Sequence, residues 1–443
     1  MAVRRALIDV APLRSSPPFR RLWIGRAFSA FGSQMTLVAV IFQVWQMTDS
    51  TAWTGAVGLA QAIPIIAFGL FAGSIIDRSD RRRLYLIATA GQAGCSVLLA
   101  VQGFSGHLPV LGVLLLLAVQ SCFVAGSGPA SRTFIPRLLP EAQVPAGLAL
   151  NRIIFQAAML LGPALGGLVL GWLGAGGCYL VDAITFAVAF YGAFGLPPMR
   201  PGGEPSRPGL RGVLDGLGFL MRNPTVRGAL LTDLASTVLS MPISLFPLIN
   251  AERFGNNPRT LGLFLTAIAV GGVIASIFSG AFTRLPRPGL VMLGGSAAWG
   301  VALALFGVSP NPWMGLVCLV MAGAADTVSV VSRGTIVQLH TPNALLGRVV
   351  AAEQIAGQAG PDVGNMRGGL IAGPTSGTIA LVSGGLLCVA AVALIASTSP
   401  ELRRSSTASP SGDQQPTRLG LVAVSQAAVG RAGGGRARAA PRG

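Results

Sequence analysis

Lysine is absent from this sequence, and all 32 basic residues are arginine. Charge of either sign is scarce, at 11% of residues, where a soluble domain carries about 25%, so the chain cannot build an ordinary water-facing surface. Acidic residues number only 15, for a formal charge of +17. The arginines fall between apolar runs instead of along one face, so they are expected to set topology, and no nucleic-acid partner is expected. Histidine is limited to His107 and His340. Without a phosphate-binding loop, a nucleophile elbow or a metal-spaced cluster, neither enzyme chemistry nor a cofactor nor a metal site is expected. Cys95, Cys122, Cys178, Cys318 and Cys388 stand one to an apolar run with no CxxC pair, as buried free thiols do.

What is present is apolar residue, 52% of the chain, with a mean hydropathy of +0.65. Apolar runs of spanning length fall near 22–47, 53–76, 84–104, 108–130, 149–173, 178–197, 228–250, 260–283, 289–309, 312–332, 349–372 and 375–397. At 1.5 Å per residue each crosses a hydrocarbon layer of about 30 Å. The chain therefore reads as an all-α polytopic membrane protein of twelve transmembrane helices, with the lipid bilayer as its solvent. Breaks with turn residues separate several runs: Thr48-Asp49-Ser50, Gly174 to Gly177, and Ser309-Pro-Asn-Pro312. The first run is too long for a signal-peptide core and is expected to stay as the first span.

Arginine is distributed by side. If the N-terminus is cytoplasmic, the cytoplasmic segments hold Arg4 to Arg21, Arg78 to Arg83, Arg132, Arg137, Arg200 to Arg227, Arg284, Arg287, Arg333, Arg348 and the tail from Arg403. The opposite side holds only Arg253 and Arg259. Both termini are therefore expected in the cytoplasm, with Ser50, His107, Gly176 and Asn257 outside and Ser79, Gly202 and Ser406 inside. The absence of lysine beside abundant Ala and Gly points to a GC-rich bacterial genome, hence a bacterial cytoplasmic membrane. The expected organisation is a cytoplasmic segment 1–21, a six-helix half 22–197, a cytoplasmic linker 198–227 rich in Pro, Gly and Arg, a second six-helix half 228–397, and a disordered cytoplasmic tail 398–443.

The halves echo each other. Gly162-Pro-Ala-Leu-Gly-Gly-Leu-Val-Leu-Gly171 aligns with Gly364-Asn-Met-Arg-Gly-Gly-Leu-Ile-Ala-Gly373 at an offset of 202, and Gly280 to Arg284 echoes Gly73 to Asp77. With no ATP site, uphill movement needs an ion gradient and a titratable group inside the membrane, where ionisable residues are costly and usually functional. The candidates for proton coupling or cavity lining are Arg26, Asp182, Asp233, Asp326, Asp362 and Arg367. Arg152 and Glu353 lie in the first turn of their expected spans and read as snorkelling residues. Asp182, early in span six, is either a coupling or a structural hydrogen-bonding residue. Asp362 and Arg367 lie beside Gly360-Pro361 and Gly364, where either a broken helix or a local ion pair is expected. Arg20, Arg26 and Ser29 of span one align with Arg227, Asp233 and Ser236 of span seven at an offset of 207. Opposite charges at those equivalent sites are expected either to meet across the pseudo-two-fold axis and close an inner gate, or to act apart, with Arg26 snorkelling and Asp233 bonding neighbouring backbone.

The densest charge in the chain is Gly73-Ser-Ile-Ile-Asp77-Arg78-Ser-Asp80-Arg81-Arg82-Arg83, between spans two and three. Gly73, Asp77, Arg78, Arg81 and Arg82 match the cytoplasmic loop motif of the major facilitator superfamily position by position. Gly162, Pro163, Gly166 and Gly167 resemble the span-five motif of its antiporters. Phe19-Arg-Arg-Leu-Trp23, Gln338 to Arg348 and Pro400-Glu-Leu-Arg403 resemble the enterobactin exporter group of that superfamily, over about residues 13 to 404. The resemblance implies two parallel halves around a midplane substrate site and proton-driven export of a siderophore or another amphipathic small molecule, by a monomer. A multidrug efflux pump of the same fold, and more remotely a non-transporting membrane sensor or scaffold, are the alternatives. Asp77 is expected to latch the halves by meeting the N-terminus of span eleven near Arg348.

Overall fold

The computed structural model describes residues 9–76, 80–132, 134–199 and 218–405, with backbone alone for 69–76, 128–130, 132 and parts of 343–358. The helices are α1 (Pro17–Thr48), α2 (Thr51–Ile76), α3 (Arg81–Ser105), α4 (Val110–Arg132), α5 and α6 within Val144–Phe194, α7 (Pro224–Ser240, resuming as Phe246–Arg253), α8 (Pro258–Ile277), α9 (Pro288–Val308), α10 (Pro312–His340), α11 (Asn343–Ala372) and α12 (Gly377–Thr398). Among the described residues ten stretches are long and apolar enough to cross a membrane. One of these holds two helices, because Gly174 leaves helical geometry at φ 67° and ψ −173° and divides α5 (144–173) from α6 (175–194). With α11 the total is twelve, the expected number.

Helix starts follow from the sequence. Pro17, Pro224, Pro258, Pro288 and Pro312 occupy first-turn positions that need no N–H donor. Ser16, Asp80, Asn223, Asn257, Asn311 and Ser376 accept backbone N–H groups as N-caps. Asp49, at φ 45°, makes the left-handed turn between α1 and α2.

Three expectations about the elements change. The helix break, one of the two alternatives at Pro361, is not there, since α11 runs through that proline. The break lies instead in α7, at Met241 to Leu245. Pro242 supplies no N–H and pushes Met241 out of helical geometry, to φ −66° and ψ 124°. The loop expected over 333–348 is mostly helix, because α10 continues to His340 and α11 begins at Asn343. The start of the tail, expected to be disordered from 398, is structured: Pro400–Arg404 is helical, and Leu402 packs against Gly228 and Gly289 at the starts of α7 and α9. Residues 1–8 of the N-terminal segment, 200–217 of the linker and 406–443 of the tail lie outside the described residues.

The helices pack as two equivalent sets of six. In the first, α1 packs on α5 and α6, α2 on α4, and α3 on α4 and α6; in the second, α7 packs on α11 and α12, α8 on α10, and α9 on α10 and α12. Between the sets, α2 meets α11 and α5 meets α8, the pairs that a two-fold exchange maps onto each other. The glycine repeat makes these contacts. Gly162 lies against Gln34 of α1, and its counterpart Gly364 against Thr237 of α7. Gly167 lies against Pro258 and Gly262 of α8, and its counterpart Gly369 against Thr51 and Ala52 of α2. Small residues permit backbone contact where apolar surface alone gives helices in lipid no reason to associate.

Candidate functional site

The starts of α2 and α8 seal one end of the bundle, the end remote from both termini. Thr51 Oγ1 on α2 donates to Gly369 O on α11 (2.6 Å), and Thr54 Oγ1 donates to Ser244 O in the α7 break (2.8 Å). Asn365 Oδ1 accepts the Ser244 N–H (3.1 Å), and its carbonyl accepts the Ser244 hydroxyl (2.7 Å). Arg367 Nη1 donates to Leu239 O. The backbone groups freed by Pro242 are thus satisfied by side chains from α2 and α11, as groups away from water must be.

Towards the terminal end the second half carries a charge cluster. Arg333 on α10 bridges two acids: its Nε lies 2.8 Å from Glu353 Oε1 on α11, and its Nη1 pairs with Asp233 Oδ1 on α7. Asp326, two turns before Arg333 on the same helix, is half-buried and within electrostatic reach of both Asp233 and Arg333. Three carboxyls thus share one guanidinium, and Asp233 Oδ2 is buried without a hydrogen bond. Full ionisation would leave excess negative charge in a largely desolvated site. That arrangement favours protonation of one member, because like charges sharing a site cannot all ionise.

Arg333 was placed among the loop arginines by sequence, and Glu353 among the snorkelling residues. Continuation of α10 and α11 past the expected ends puts Arg333 two turns inside α10 and Glu353 three turns inside α11. The one available signal was the spacing of Asp326 and Arg333, which lie seven apart and share a helix face. The expected Arg26–Asp233 pair gives way to Arg333–Asp233 in this structure. Arg26 instead lines a polar cavity of about 180 Å³ within the first half, with Ser29, Ser33, Tyr85, Thr89 and Gln92. Asp362 and Arg367 are not joined by an ion pair among the described residues. The Asp362 carboxyl faces Gly58 of α2 across the contact between halves, and Arg367 turns to the α7 break.

Of the charged loop, Asp77 and Arg78 lie outside the described residues, as does the Arg348 side chain, and Gly73 is described by backbone alone. The remainder docks within the first half. Asp80 Oδ1 accepts the N–H groups of Arg82 (2.9 Å) and Met199 (3.1 Å). Arg82 donates to Phe194 O and lies over the Phe194 ring, and the Arg81 N–H donates to Met199 O (3.2 Å). Partial burial works against the Asp80 carboxylate, but the Met199 and Arg82 amides and the nearby Arg83 charge outweigh it and hold the carboxyl below its ordinary value.

Comparison with known proteins gives a consistent picture. Residues 8–425 match the family described as transmembrane secretion effector. The enterobactin exporter EntS of Shigella boydii is 29% identical over 409 residues, covering 90% of this chain and 95% of that protein. EntS of Escherichia coli is 28% identical over the same shares of both chains. A crystal structure of a variant of the nucleoside transporter NupG superposes with a TM-score of 0.70 at 14% identity, covering 87% of this chain and 98% of that one.

Proposed function

This chain belongs to the transmembrane secretion effector family of the major facilitator superfamily, and from that membership we propose that it is a proton-driven exporter of a small amphipathic molecule, a siderophore or related secondary metabolite. The cargo class rests on the enterobactin exporters that the chain resembles. The coupling rests on one observation: Arg333 bridges Asp233 and Glu353 from three helices of one half, with Asp326 beside them. A proton arriving at the acids weakens their hold on Arg333 and frees α7, α10 and α11 to move relative to one another. Loss of the proton restores the ion pairs. The far end is sealed by Thr51, Thr54 and the two glycine contacts, so this is the state loaded from the terminal end, which faces the cytoplasm on the arginine distribution. Cargo enters between the halves, the seal between α2 and α11 and between α5 and α8 opens, and cargo leaves on the other side. Arg26 and Asp362, one in a polar cavity of the first half and one at the contact between halves, line the route. The transporter works as a monomer.

The test is reconstitution into proteoliposomes with enterobactin and a panel of antibiotics as cargo. An imposed proton gradient drives concentrative movement through the wild type, whereas Asp233→Asn and Arg333→Gln lose gradient-driven movement and Asp233→Asn retains downhill exchange. Concentrative movement that persists in Asp233→Asn overturns the coupling assignment. Movement of the antibiotics alone makes the protein a drug pump, and no flux of any cargo leaves a sensor or scaffold.

A further inference from the structure

A second buried carboxyl stands apart from the Arg333 cluster. Asp182 on α6 has no exposed surface and is enclosed by α1, α3 and α4. Ser96 Oγ on α3 donates to its Oδ2 (2.7 Å), and Gln120 Nε2 on α4 donates to Ser96 Oγ (2.9 Å). The buried Thr36 Oγ1 on α1 faces the carboxyl, and neither it nor Oδ1 makes a well-aligned hydrogen bond. Gly32 of α1 provides the room, since a Cβ there would lie 2.6 Å from Oδ1. Among the described residues both ion pairs belong to Arg333, so no salt bridge compensates Asp182.

An ionised Asp182 would carry a fully buried charge with no counter-charge beside it, a state that proteins avoid by neutralising the group. A proton on Oδ1 removes the charge and lets the acid donate to Thr36 Oγ1, which faces it. The supply lies close by. Gln92, one turn from Ser96 on α3, donates to Ser127 Oγ (3.2 Å), and both residues line the Arg26 cavity near the terminal end. The other titratable groups on the surrounding helices are Cys178, Tyr179 and Tyr191 on α6, Tyr85 and Cys95 on α3, Cys122 on α4, Arg26 on α1, Arg152 at the exposed start of α5, and Arg20, Arg21, Arg81, Arg82, Arg83 and Arg132 at the terminal ends of α1, α3 and α4. Of these, Arg26 is nearly three turns along α1 from Thr36.

We propose that Asp182 is a second proton-binding site, occupied in this state and exchanging through the Arg26 cavity during the transport cycle. The inference rests on the reading of the protein as proton-driven, and it gives each half its own proton site. The probe is the proton itself, followed by pH-difference infrared spectroscopy of purified protein in lipid nanodiscs. The wild type shows a protonated-carboxyl C=O band that shifts in D2O, persists in Asp233→Asn and disappears in Asp182→Asn. The amide of Asp182→Asn can donate to Thr36 as the acid does, so this variant keeps the wild-type unfolding temperature while its gradient-driven efflux loses the wild-type pH dependence. If it fails to fold, Asp182→Glu moves the band and serves the same assignment. A band unchanged in these variants, or an unchanged pH profile in Asp182→Asn, overturns the proposal. A band assigned to Asp182 in a protein without gradient-driven efflux overturns the exporter reading instead.

Discussion

Arg333 holds two acids at once, so Asp233 and Glu353 lose their counter-charge together if it is removed. Breaking one buried pair typically costs about 3–5 kcal/mol. Arg333→Gln is therefore expected to lower the unfolding temperature clearly, and Arg333→Gln with Asp233→Asn and Glu353→Gln to recover most of the loss, as measured by intrinsic fluorescence during heating in detergent. A triple variant no more stable than the single one would mean that the ion pairs do not stabilise the fold. Asp80 illustrates the same physics at the surface. Its carboxyl is held below the ordinary value, so the stability it contributes is complete above that value and is lost as pH falls through the lowered one. Acidification through that window is expected to loosen residues 80–82 from 194–199, read as faster amide exchange at Met199, and Asp80→Asn is expected to show that faster exchange at neutral pH.

Among the elements, the glycines of α5 and α3 make opposite predictions. A Cβ at Gly167 would lie 2.9 Å from the Pro258 carbonyl of α8, so Gly167→Val is expected to force α5 from α8 and open the far end. Cysteines introduced at that end should then react faster with a membrane-impermeant maleimide. Gly94 has open space around its Cα and lies within α3, where alanine is better than glycine by about 0.5–1 kcal/mol. Gly94→Ala is expected to fold at least as well as the wild type. The break in α7 depends on Pro242, and Pro242→Ala is expected to extend the helix and weaken the Thr54 contact to Ser244, favouring the state open at the far end.

For the whole molecule, the arginine asymmetry predicts which face is cytoplasmic. In a background without native cysteines, Ser50→Cys, His107→Cys and Asn257→Cys should label from outside intact cells, and Ser79→Cys, Gly202→Cys and Ser406→Cys only after permeabilisation. External labelling of Ser79→Cys would invert the topology. Gly176 is unsuitable as a reporter, although it was expected in an outer loop, because it is buried against Phe104 and Gly103 where α6 crosses α3.

The sequence alone determined the class, the number of helices and the two-fold relation between the halves. Length of apolar run, proline and cap residues at helix starts, and glycine spacing are local or periodic properties, and the 202-residue repeat needs only a comparison of the chain with itself. The partner of Asp233 was not legible in this way. Equivalent positions in a repeat need not touch, and helix ends that extend past the apolar run turned an apparent loop arginine into the centre of a buried cluster. The position of the helix break was decided by tertiary contacts as well: both Pro242 and Pro361 could interrupt a helix, but the groups freed at Pro242 find Thr54 and Asn365 waiting. The enclosure of Asp182 was equally beyond the sequence, because it depends on four helices meeting around one carboxyl with no counter-charge paired to it among the described residues.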